Sequence, residues 1–121
     1  MDYYTNFIFE IENVTAKERK FLTKYQEHLA KNGIAIIEQE SRIFLQDDCG
    51  QVDTGELADI LQKFIQKFRP GEIFCIRIAF TASRPVIGAY GGAAILITKN
   101  EIVYFDTDNW LEEQMELRRA K

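Results

Sequence analysis

The sequence predicts an α+β domain: a ferredoxin-like β-α-β-β-α-β antiparallel sheet extended by a C-terminal β-hairpin and a short helix. Three observations carry this expectation. Apolar and polar residues alternate through 7–12 and again through 74–81, the period of a half-buried strand. Leu57, Ile60, Leu61, Phe64, Ile65 and Phe68 recur at the spacing of one face of a helix. Helix and strand signals also follow one another in the order that a split βαβ unit requires, with short polar turns between them.

Each element has a local cause. Phe7, Phe9 and Ile11 alternate with Ile8, Glu10 and Glu12 in the first strand. Thr15-Ala16-Lys17-Glu18 is a capping box, in which threonine and glutamate each satisfy the other's backbone amide. The helix it opens carries Phe21, Leu22, Tyr25 and Leu29 on one face and stops at Asn32-Gly33, where glycine adopts a left-handed conformation freely. Ile34–Ile37 and Arg42–Leu45 read as a strand pair about a turn at Gln39-Glu40-Ser41. Asp53-Thr54-Gly55-Glu56 offers a second capping box, and Arg69-Pro70-Gly71 ends the helix it starts. Phe74, Ile76, Ile78 and Phe80 then form the core face of a strand. Ala93–Thr98 and Glu101–Phe105 make a hairpin about Lys99-Asn100. Asp106-Thr107-Asp108-Asn109 supplies caps for a last helix with Trp110, Leu111, Met115 and Leu117, whose basic end suits the helix dipole. That helix is expected to close a sheet edge or to pack on the helical layer.

At 121 residues, 46% of them hydrophobic, the chain reads as a single domain spanning 1–121 that buries roughly two-thirds of its unfolded surface. A net charge of −4 speaks for solubility and against a general nucleic-acid binder, whose footprint is basic. Cys49 and Cys75 do not form a disulfide framework, the first residues carry no targeting signal, and no apolar run nears the ~20 residues of a membrane span. The expected setting is cytoplasmic, away from membranes.

Catalytic chemistry finds little support. The single histidine, His28, lacks His or Cys partners at metal-ligand spacing, so no metal is expected. Asp47, Asp48 and Asp53 lack the spacing of a calcium loop. Ser83 precedes Arg84-Pro85 rather than sitting in a nucleophile elbow, and Cys75 lies within an apolar strand. Gly88-Ala89-Tyr90-Gly91-Gly92 has no phosphate-loop lysine and leads into a strand, which favours a conformational reason for its glycines. The chain is therefore expected to be no enzyme and to hold no cofactor.

The segment Arg77–Ala93 concentrates residues with special backbone demands. Within it Ser83, Arg84, Pro85, Tyr90, Gly91 and Gly92 make a candidate partner-binding site, since arginine and tyrosine on rigid or permissive backbone suit a contact surface. An alternative is nucleic-acid binding on the open sheet face, although the aromatic signature of RNA-binding sheets is missing. The strand pattern at Ile95-Leu96-Ile97 leaves room for a dimer through a free edge, so monomer and homodimer both stay open.

Several of these segments also resemble a family of small uncharacterised proteins found in bacteria, phages and plasmids. The resemblance rests on Tyr4-Thr5-Asn6-Phe7-Ile8-Phe9, Phe64-Ile65-Gln66-Lys67-Phe68-Arg69-Pro70, Ser83-Arg84-Pro85, Gly88-Ala89-Tyr90-Gly91-Gly92-Ala93 and Trp110-Leu111-Glu112-Glu113. Here Ala89 replaces an acidic residue, Ala93 a third glycine and Val86 a basic residue of the family pattern. The resemblance implies no reaction. It implies a mobile-element context and a non-enzymatic protein-binding module, an inhibitor of a bacterial defence complex in the manner of anti-CRISPR proteins.

Overall fold

The computed structural model describes residues 3–48, 52–82 and 90–120. Its elements are β1 (Tyr3–Asn6), β2 (Ile8–Ile11), α1 (Ala16–Lys24), α2 (Gln26–Lys31), β3 (Ile34–Glu38), β4 (Ile43–Asp47), α3 (Thr54–Phe68), β5 (Phe74–Ala82), β6 (Gly91–Ile97), β7 (Ile102–Asp106) and α4 (Thr107–Arg119). The architecture is mixed α+β with antiparallel sheets. One sheet has the order β1-β5-β6-β7 and the other β2-β4-β3.

The single expected sheet is thus divided, and the division falls at Phe7. Asp47, at the end of β4, accepts from the Phe7 amide at 2.7 Å, and its other carboxylate oxygen takes the Asn6 side-chain amide at 3.2 Å. A side chain has replaced a ladder carbonyl there, so β1 pairs with β5 while β2 pairs with β4. The first helix is also divided. Thr23 Oγ1 donates back to the Arg19 and Lys20 carbonyls, a pattern that bends helices, and Tyr25 at φ −94°, ψ 5° ends α1 and begins α2.

The rest follows the local signals. The Thr15–Glu18 capping box is complete, and Asp53 Oδ1 accepts from Gly55 and Glu56 at the start of α3. Leu57, Leu61, Phe64 and Ile65 of α3 are wholly buried against Phe21 and Leu22 of α1 and the inward residues Phe74, Ile76 and Ile95 of the sheet. Phe21, Phe64, Phe68, Phe74 and Phe9 form a chain of tilted and edge-on ring contacts through this core.

One charged residue is buried among the described residues. Glu18, 4% exposed, receives Arg69 Nε at 2.7 Å on one oxygen and Arg69 NH2 at 3.2 Å on the other. The same guanidinium donates to the Glu12 and Asn13 carbonyls, where Asn13 holds a positive φ of 54°. Arg69 therefore ties the C-terminus of α3 to the turn before α1. Burial alone would raise the Glu18 pKa, but hydrogen bonds from Arg69 and the Thr15 amide, with the guanidinium charge, outweigh it and hold the carboxyl below the ordinary glutamate range.

Candidate functional site

The β6–β7–α4 end of the molecule is built around two glycines. A Cβ on Gly91 would lie 2.5 Å from Thr107 Oγ1, and one on Gly92 would lie 3.2 Å from the Ile78 carbonyl oxygen. The Gly92 amide donates to Thr107 Oγ1 at 3.2 Å. Both glycines thus let the first residue of α4 pack on the start of β6. The structure thus gives both glycines a packing role. Asp106 caps α4 by accepting from the Asn109 amide and side chain, each at 2.7 Å.

Between these elements lies an open cleft of about 450 Å³, lined among others by Val52 before α3, Thr54 at its start, Ile78 and Phe80 of β5, and Tyr104 of β7. Burial, followed by the nearby Asp59 and Asp53 carboxylates, raises the Tyr104 phenol pKa. Ile78, Phe80, Ala93 and Ile95 give the cleft an apolar lining, to which Asp106 and Asp108 add carboxylates. No group of three or more His, Cys, Asp or Glu residues that could hold a metal occurs among the described residues. His28 pairs with Glu56 at 2.9 Å on the surface.

The other feature of this end is apolar surface without cover. α4 has no buried residue, and its side chains Trp110, Leu111, Met115 and Leu117 are 47–61% exposed. On a helical projection they share one broad face with Gln114 and Arg118, while Asp108, Glu112, Glu113, Glu116 and Arg119 fill the opposite one. The expectation that this helix packs on the helical layer is therefore corrected: it leaves the sheet at Thr107 with its apolar stripe open. β7 adds Val103, Tyr104 and Phe105, all large and exposed. The free edge also differs from the expected one. Ile95-Leu96-Ile97 lies in β6, paired on both sides, and the sheet ends at β7.

Of the sequence-predicted site, Tyr90 is exposed at the mouth of β6, with Gly91 and Gly92 beside it. Ser83, Arg84 and Pro85 lie outside the described residues, as does Cys49. The α4 stripe and the β7 strand are visible as patterns in the sequence, which places the helix at a sheet edge or on the helical layer and the strand as an extension of the sheet. A second surface had no forecast. Lys17, Lys20 and Lys24 of α1 and Lys67 of α3 line a shallow groove of about 310 Å³ floored by Phe21 and Phe68. Lys24 Nζ sits 4.9 Å from the Phe21 ring centroid, and Lys67 Nζ 5.5 Å from that of Phe68. The spacing 17, 20, 24 along one helix face was the available signal. Among the described residues, no helix is long and apolar enough to cross a membrane.

Comparison with protein-family models, with curated proteins and with solved structures finds no significant match.

Proposed function

We propose that this chain is a non-enzymatic protein-binding module whose contact surface is the apolar end formed by β7 and α4, together with the sequence segment that carries Arg84, Pro85 and Tyr90. The observation that carries the reading is the bare stripe of α4 beside an exposed edge strand. Monomeric proteins rarely leave contiguous apolar patches beyond a few hundred Å² uncovered. Aromatic side chains are prominent in it, as they are at the centres of protein interfaces. The resemblance to small mobile-element proteins supports a cytoplasmic bacterial defence complex as the partner class. The register supports a ferredoxin-like origin for the fold: with the N-terminal strand taken as continuous through Phe7, the order β5, β1/β2, β4, β3 is that of a split βαβ unit.

The test is a pull-down from bacterial lysate, with and without nuclease, of the wild type, an Arg84→Glu/Tyr90→Ala variant and a Leu111→Glu/Met115→Glu variant. The reading predicts a nuclease-resistant protein partner lost with at least one variant. Capture unchanged by both variants would sink it.

The lysine groove favours one second reading, binding of a polyanion such as nucleic acid on the helical face rather than the sheet face. Four lysines, two of them (Lys24 and Lys67) over aromatic rings, provide backbone-neutralising charge in an otherwise acidic chain. That reading predicts binding that weakens steeply with salt and is abolished by Lys20→Glu with Lys67→Glu. Salt-independent binding would count against it.

A further inference from the structure

We infer that the groove between α1 and α3 is a binding site for a short chain of linked phosphoryl groups, such as an inorganic oligophosphate or the phosphate tail of a nucleotide. This rests on the polyanion reading of that groove above and narrows its ligand from a polymer to a compact anion.

Four cations converge there without a partner in the chain. Lys17, Lys20 and Lys24 of α1 and Lys67 of α3 line a space of about 310 Å³, and among the described residues no carboxylate lines it with them. None of the four takes part in an ion pair among the described residues, although acidic residues outnumber basic ones in the sequence. Lys24 Nζ and Lys67 Nζ also lie over the same ring, 4.9 and 5.6 Å from the Phe21 centroid. Attraction to that ring draws together two like charges, one from each helix, and leaves their repulsion for an anion to relieve. An ammonium group is a compact point charge with three donors, which suits phosphoryl oxygens.

The extent of the positive charge sets the length of the ligand. Lys17 to Lys24 covers only about 10 Å of helix at 1.5 Å per residue, comparable with the reach of two or three linked phosphoryl groups. Past Lys24 the same pair of helices turns acidic. α1 and α2 run antiparallel to α3, since Phe21 meets Phe64 and Phe68 while His28 meets Glu56. In that direction α2 carries Glu27, and α3 carries Asp59, two turns before Lys67, and then Glu56. A polymer laid along the helices would leave the lysines and meet these carboxylates, whereas a compact anion stays among the cations. A space of this volume also lies at the small end of the ~300–1,000 Å³ range of ligand sites.

Isothermal titration calorimetry of the full chain tests the inference, with sodium tripolyphosphate, ATP without magnesium, orthophosphate and a long single-stranded DNA as ligands. Tripolyphosphate is expected to bind at least about tenfold tighter than orthophosphate, because it engages more of the ammonium groups at once. Lys24→Gln/Lys67→Gln should weaken it by about tenfold or more with an unchanged far-ultraviolet circular dichroism spectrum. Lys31→Gln/Lys99→Gln removes the same charge away from the groove and should leave the affinity as it was. ATP no tighter than tripolyphosphate assigns the phosphoryl chain alone as the ligand, and a tighter ATP assigns a nucleotide; both uphold the site. Absence of tripolyphosphate binding overturns the inference. So does an affinity equal to that of orthophosphate, or an equal loss in the two double variants. DNA binding through the groove lysines without tripolyphosphate binding would overturn the compact ligand and leave the polyanion reading standing. If neither binds, both fall.

Discussion

Two helices of this molecule are amphipathic, similar in length and capped by an aspartate, and they end in opposite situations. α3 buries Leu57, Leu61, Phe64 and Ile65 completely, whereas α4 leaves every member of its apolar stripe about half exposed. Periodicity specifies a face in both cases but does not specify what covers it. The cover for α3 comes from within the chain, from α1 and the inward residues of β5 and β6, and Arg69 locks its C-terminal end to Glu18. α4 contacts the rest of the fold at its first turn, through Thr107 and the Gly91-Gly92 entry of β6.

The largest expected effect separates the two helices directly. Phe64→Ala should lower unfolding stability by about 3–5 kcal/mol, because it empties a closed core. Leu111→Ala should change it by no more than about 0.5 kcal/mol. Urea titrations of both variants check this, and equal losses would erase the distinction.

Next comes the lock at the end of α3. Arg69→Ala leaves Glu18 buried without its partner, which should cost about 2–4 kcal/mol. The pair also makes stability depend on pH. The folded Glu18 pKa lies below its unfolded value, so its contribution is fully present above the ordinary glutamate range and fades as pH falls through the lowered value. Urea midpoints across an acid series should therefore show wild type and Arg69→Ala converging as the pH drops. A constant gap would contradict the assignment.

A smaller effect probes how α4 is attached. Gly91→Ala should cost about 1–3 kcal/mol by pressing a methyl group onto Thr107 Oγ1. Combining it with Thr107→Ala should recover part of that loss, and the double-mutant cycle should show coupling between the two positions. Additive losses would mean that the close approach has no energetic role.

Much of the fold was legible in the sequence because its causes are local. The Thr15–Glu18 box, the Asp53 cap, the stripe of α3 and the alternation of β5 all lie within a few residues of what they determine. The break at Phe7 was not legible, since its cause is Asp47, forty residues away, and the alternation of Phe7, Phe9 and Ile11 runs through it undisturbed. The bend at Tyr25 depends on how one threonine hydroxyl is turned. At the candidate site, Tyr90 was legible as an exposed aromatic beside permissive backbone. Gly91 and Gly92 suggest backbone freedom in the sequence, whereas in the structure they admit the close approach of Thr107, fifteen or sixteen residues on. The stripe of α4 was visible, but covered and uncovered stripes have the same periodicity.

Trp110, the single tryptophan, lies in that stripe and reports on its cover. The most direct measurement is its fluorescence emission in the wild-type chain, folded and in denaturing urea. The account predicts that the folded chain shows the emission of a largely water-exposed indole and that it shifts little on unfolding. A folded emission maximum at clearly shorter wavelength that moves to the water-exposed position on unfolding would contradict it.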